Sequence, residues 1–209
     1  MPLKTYPRAR HATRSRSRSG GVEGNSRFTA SLALILFVLL AVEGVTVVFI
    51  GSLFTAHVFV GVVLIAPVMY KIGSAGWRFI KYYRRDPAYR RKGPPPLFLR
   101  MLGPVVVVLT IVVLGSGVGL IVLSRPWRTQ LLLVHQASFL LWFAAMTIHV
   151  VSHMVETARL APRDWFRHSR REVNGASVRQ WTVATSLVLG VLAAVLITPL
   201  ANGWLFQNP

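Results

Sequence analysis

Residues 101–123 read MLGPVVVVLTIVVLGSGVGLIVL, twenty-three positions without one ionisable side chain. At 1.5 Å per residue an α-helix of that length reaches about 34 Å, enough to cross a hydrocarbon core of roughly 30 Å. Lipid offers no hydrogen bonds to an open backbone, so such a run crosses as a helix. Four more runs of similar length lie on either side of it: Phe28–Ile50, Leu53–Ile72, Leu131–Thr157 and Val178–Leu200. None holds Lys or Arg in its interior, apart from Lys71 at a boundary. The first lies behind residues 1–27, is apolar for over twenty residues and lacks a small-residue cleavage site, so it does not read as a cleaved signal peptide. The expected fold class is all-α, a polytopic membrane bundle of five transmembrane helices. A basic disordered tail (1–27) precedes it and a short C-terminus (201–209) follows.

Composition supports this division. Of 209 residues 53% are hydrophobic and 14% charged, where a soluble domain has about 25% charged. The charge is lopsided, 24 Lys+Arg against 6 Asp+Glu. Seven of the basic residues lie in 1–27, nine in 71–100 and six in 159–180, but only Arg125 and Arg128 lie in the short connection 124–130. The positive-inside rule then sets the N-terminus in the cytoplasm and the C-terminus outside. The expected location is the cytoplasmic (inner) membrane of a bacterium, with lipid as the surrounding partner. This accounting explains the net charge of +18 without nucleic acid. The Arg-Ser run Arg14–Ser19 reads as a topology signal with affinity for anionic lipid. Trp77, Trp165 and Trp181 mark the inner interface, and Trp127 and Trp204 the outer one. The chain has no Cys, which excludes disulfides, thiolate metal sites and cysteine nucleophiles.

The histidines carry the chemistry. His11 and His168 fall in basic, solvated segments, whereas His57, His135, His149 and His153 fall inside spans. Ionisable residues in membrane spans are rare and usually functional, although a single His packs as a hydrogen-bonder about as often as it ligates. The step from His135 to His149 is 14 residues, which returns to within about 40° of one face and descends about 21 Å. His153 is five full turns from His135, so all three share one stripe. His57 and His135 each lie four residues into spans that run in the same direction, which sets them at one depth near the external face. Two imidazoles at one depth suit bis-His ligation of a b-type haem, with His57 and His135 on the iron.

Gly115, Gly117 and Gly119 lie at that level in the third span and would clear space for a flat macrocycle; a small-xxx-small helix contact explains them equally well. Arg125 and Arg128, just outside, are placed to pair with haem propionates or to serve as plain loop charges. With HVFVGVVLIAPV around His57 and HQASFLLWFAAMTIHVVSH around His135 and His149, residues 53–157 resemble the haem-b bundle superfamily. That group includes cytochrome b of quinol oxidoreductases, bacterial cytochrome-b-like membrane subunits and ferric-reductase-like proteins. More narrowly, these segments look like the small haem-b-like integral membrane proteins of high-GC bacteria. The resemblance implies transmembrane electron transfer, often with a quinone (menaquinone or ubiquinone), and a redox partner protein. It fixes no substrate.

One departure from that pattern matters. A second stacked haem would need a His 13 or 14 residues after His57, where the chain has Tyr70 and Lys71. His149 and His153 share one face about 6 Å apart and cannot ligate one iron from opposite sides. Three readings of them stay open. A second haem could take an unusual ligand from Met69 or Tyr70. A quinone or proton site could form with Lys71 and Glu156. Or the pair could be structural hydrogen-bonders. Glu43, where an unpaired acid would cost about 2.5–3.5 kcal/mol, could accept the Nδ1–H of a ligating His, take a quinol proton, or stay a neutral acid bonded to a neighbouring helix. Pro67 is expected to kink the second span. The expected function is one-electron transfer between the quinone pool or a redox partner and an acceptor at the external face, through one haem b, or two if the inner site is filled. A haem-free scaffold or small transporter is the competing class.

Overall fold

The computed structural model describes residues 21–91, 93, 96–123 and 125–201, with the side chains of Arg125, Arg167 and Arg170 excepted. Five long helices dominate: α1 (Gly21–Val48), α2 (Ile50–Tyr83), α3 (Leu97–Val122), α4 (Arg128–Leu160) and α5 (Ala176–Ile197). No strand occurs among the described residues. Each of the five lies in a helical stretch long and apolar enough to cross a membrane, so the chain is a multi-pass membrane protein.

The helices outrun the apolar runs at both ends. α2 continues through the aromatic and basic stretch Trp77–Tyr83 before Gly93 and Pro96, and α1 begins at Gly21. Hydropathy reports only the part of a helix that needs lipid, whereas the hydrogen-bonded ladder continues past it. Residues 21–27 are thus helical; residues 1–20 and 202–209, with Trp204, lie outside the described residues. The backbone of α2 is helical through the buried Pro67, and its departure comes at Leu53 (φ −111°, ψ 22°), just past the reversal at Phe49. The sharp return there leaves a single residue, Phe49, between α1 and α2.

α1 and α2 form one antiparallel hairpin. Thr29 meets Ser74 at one end and Thr46 meets His57 at the other. α3 and α4 form a second, in which Thr110 pairs with Trp142 and Ser116 with His135. α5 packs along α2, and α1 also touches α4. The end that carries the turns at Phe49 and Arg125–Trp127 is here the hairpin end, and the opposite one the basic end.

Packing follows the economy of lipid. Apolar tails are as good a solvent as leucine, so large side chains such as Leu133, Leu140, Leu141 and Leu196 face outward, and close backbone approach drives association. On α5 the small residues Ser186, Gly190 and Ala194 form a buried stripe at four-residue spacing. A Cβ at Gly190 would collide with the Val63 carbonyl oxygen of α2. Val62, Val63 and Ala194 form the core there, bordered by Leu39, Phe59 and Ile121. One buried polar chain crosses the second hairpin: the Trp142 indole donates to Thr110 at 2.9 Å, and Thr110 donates on to the Val106 carbonyl at 2.6 Å.

At the basic end an ion cluster ties distant segments together. Asp164, almost wholly buried, accepts two bonds from Arg179 at the start of α5, at 2.5 and 2.7 Å. Arg27 of α1, equally buried, stands 3.5 Å from Asp164 and bonds Glu172 at 2.9 Å, Glu23 at 3.2 Å and the Ser169 carbonyl at 2.8 Å. The cluster joins α1, the turn after α4 and α5, a role that a net-charge reading of these loops does not reveal.

Candidate functional site

Between the two hairpins lies an apolar cavity of about 360 Å3, with residues of α1, α2, α3 and α4 in its wall. That is within the 300–1,000 Å3 range of small-molecule and cofactor sites. Along α3 it runs from Thr110 to Ile121, about 16 Å at 1.5 Å per residue. Its polar wall groups include Glu43, His57, His135, Gln136 and Thr110.

His57 and His135 face each other across it, with ring centres 6.3 Å apart and planes inclined at 75°. Their Nδ1 atoms both turn to protein acceptors. His57 Nδ1 lies 2.9 Å from Glu43 Oε1. The Thr46 hydroxyl donates to Glu43, reaching its backbone carbonyl at 2.7 Å and Oε2 at 3.0 Å, and stands 3.3 Å from the same His57 nitrogen. His135 Nδ1 donates to the Val113 carbonyl at 3.0 Å, with Ser116 Oγ at 3.1 Å. An imidazole that donates through Nδ1 carries its lone pair on Nε2, the tautomer that ligates a metal through Nε2.

The spacing is compatible with a shared metal as well as with an ordinary edge contact of two rings. A ligating nitrogen stands about 2.0–2.1 Å from its metal and about 1.1 Å from its own ring centre, so two rings on opposite sides of one metal have centres about 6.3 Å apart. Among the described residues no cluster of three or more His, Asp or Glu forms a metal site. The donor set here is a pair, and a metal bound by it needs its remaining positions filled by something else.

Two glycines shape the wall. A Cβ at Gly117 would stand 3.2 Å from His135 Cε1, and one at Gly61 would stand 3.4 Å from Glu43 Oε1. Of the three glycines favoured by the sequence, Gly115 and Gly119 lie outside the cavity wall: a Cβ at Gly115 would meet nothing within 4 Å, and one at Gly119 would face Leu131 and Leu123. Gly117 lies between them in GSGVG, two residues or about 200° around the helix from each, so its neighbours point elsewhere. Arg128, at the first turn of α4, is half-buried and does not line the cavity. The side chain of Arg125 lies outside the described residues.

Toward the basic end His149 lies beside His153 and within electrostatic reach of Lys71. His149 and His153 stack at 4.6 Å, and His153 Nδ1 donates to the His149 carbonyl at 3.0 Å. His149 Nδ1 is buried without a partner among the described residues. Lys71 donates to the Thr29 carbonyl at 3.4 Å, beside the Asn25–Ser74–Thr29 hydrogen bonds of the first hairpin. Glu156 is exposed.

Ser116 and Gly61 are site residues that sequence reasoning passed over. Gly61 follows His57 by one turn, which is the signal that could have found it. In comparisons with protein-family models, curated proteins and solved structures, the chain matches none.

Proposed function

We propose that this chain is a membrane-embedded b-type cytochrome of the haem-b bundle kind, in which His57 and His135 hold one haem near the hairpin end. The observation that carries the reading is the facing imidazole pair, spaced as two ligands on one metal, with both Nδ1 atoms occupied. The haem iron would supply one-electron oxidation and reduction. The chain's residues do the rest. Glu43 and Val113 set the two imidazole tautomers, Gly61 and Gly117 keep the backbone close without filling the space, and the apolar wall excludes water. The Lys/Arg distribution supports an external position for the hairpin end, in the inner membrane of a bacterium. Electrons would pass between a quinone or redox partner protein and an acceptor at that face.

The test is a reduced-minus-oxidised absorption spectrum of the purified protein with haem counted per chain. One b-type haem per chain is expected, lost in His57→Ala and in His135→Ala and kept in His149→Ala. Full haem content in His57→Ala refutes the assignment. Absence of haem after haem-replete expression returns the chain to the scaffold or transporter class.

A further inference from the structure

The two facing histidines are held by chemically different acceptors. His135 donates to a neutral backbone carbonyl, with a serine hydroxyl beside it. His57 meets a carboxylate at 2.9 Å, and Thr46 holds that carboxylate in place. Of the six acidic residues in the chain, Glu43 alone lines the cavity. Glu23, Asp164 and Glu172 belong to the ion cluster at the basic end, Asp86 pairs with Lys81, and Glu156 is exposed near that end of α4. The carboxylate is mostly buried, with 14% of the Glu43 side chain exposed, and its Oε1 faces the backbone of α2 at Gly61. An acid kept in an apolar wall, braced by a second side chain and aimed at one ring, is a placed group.

We infer that Glu43 is a positioning residue that makes the site asymmetric: it locks the His57 tautomer and supplies the negative charge that favours the oxidised state of a metal on His57 Nε2. This rests on the haem reading above. A carboxylate accepting Nδ1–H makes the imidazole a stronger donor. Coulomb interactions are also strongest where the dielectric is low, so a fixed negative charge one ring away favours the form of the iron with the higher positive charge. His135, bonded to a neutral carbonyl, supplies no such bias. The reduction is one electron onto the iron.

The experiment is an equilibrium redox titration, followed optically on the haem-loaded full chain in detergent, for wild type, Glu43→Gln, Glu43→Asp and Thr46→Val. In Glu43→Gln the amide oxygen still accepts the His57 proton but the charge is gone, so the midpoint potential shifts upward. Glu43→Asp reverses part of that shift, which a merely structural role would not do. Thr46→Val, which frees the carboxylate without removing it, gives a smaller upward shift and serves as the measure if Glu43→Gln does not fold. A Glu43→Gln or Thr46→Val protein that holds its haem and titrates at the wild-type potential overturns the inference and leaves the haem reading intact. A wild type that binds no haem removes both.

Discussion

Replacing Asp164 with Ala tests whether the ion cluster at the basic end holds the bundle together. Asp164 is 1% exposed, and Arg179, which donates to both its carboxylate oxygens, is 6% exposed. The substitution removes both acceptors and leaves Arg179 its bond to the Asn174 carbonyl at 2.7 Å. Arg27 is better provided, because Glu172, Glu23 and the Ser169 carbonyl remain. The loss therefore falls mainly on one buried guanidinium, and removing one partner of a buried pair costs about 3–5 kcal/mol. For a chain of this size that is a fall in unfolding temperature on the order of 10 °C. Glu172→Ala removes an acid that is 50% exposed and should cost only about 0–1 kcal/mol. Thermal unfolding in detergent, followed by the fluorescence of the six tryptophans, measures all of this. The decisive comparison is the double variant Asp164→Leu with Arg179→Met, which removes both charges and should recover most of the loss. An Asp164→Ala protein that unfolds within about 2 °C of wild type, or a double variant no better than the single, would refute the reasoning.

Two further substitutions separate packing from site. Gly117→Leu places a side chain against His135, with its Cβ 3.2 Å from the ring, and should abolish haem binding, whereas Gly115→Leu, with open space around its Cβ, should keep it; haem counted per chain decides. Gly190→Val drives a side chain into the Val63 carbonyl of α2 and should lower stability by about 1–3 kcal/mol, while Gly44→Ala, which meets nothing within 4 Å, should be neutral or raise it by up to about 1 kcal/mol; unfolding temperatures of the two tell them apart.

The span count was legible because a run such as 101–123 has no alternative in lipid. That His57 and His135 lie at one level was legible for a related reason, because equal distances into parallel spans give equal level; that their rings meet was decided by packing. Glu43 was left with several readings because depth alone does not say which helix its face meets. The hairpin reversal at Phe49 brings it to His57. The glycines show the limit most clearly. Gly115, Gly117 and Gly119 share a level, and only the rotation of α3 against α4 selects Gly117. The ion cluster was invisible for a different reason. Glu23, Arg27, Asp164, Glu172 and Arg179 span more than 150 positions, and in loops rich in arginine a few acids read only as a reduction in net charge.

What the sequence determined by itself is what one-dimensional physics decides: how many helices are long and apolar enough to cross, which ionisable residues fall inside those spans, and which segments carry the positive charge. Hydrophobic length and helical rise are properties of a single strand of chain, and they hold whatever its neighbours are. Tertiary structure alone decided which faces meet: Glu43 with His57, Gly117 with His135, Asp164 with Arg27 and Arg179. Those choices depend on helix rotation about the axis. In lipid, rotation is set by where small residues let backbones approach and where buried polar groups find partners, and both are properties of pairs of helices.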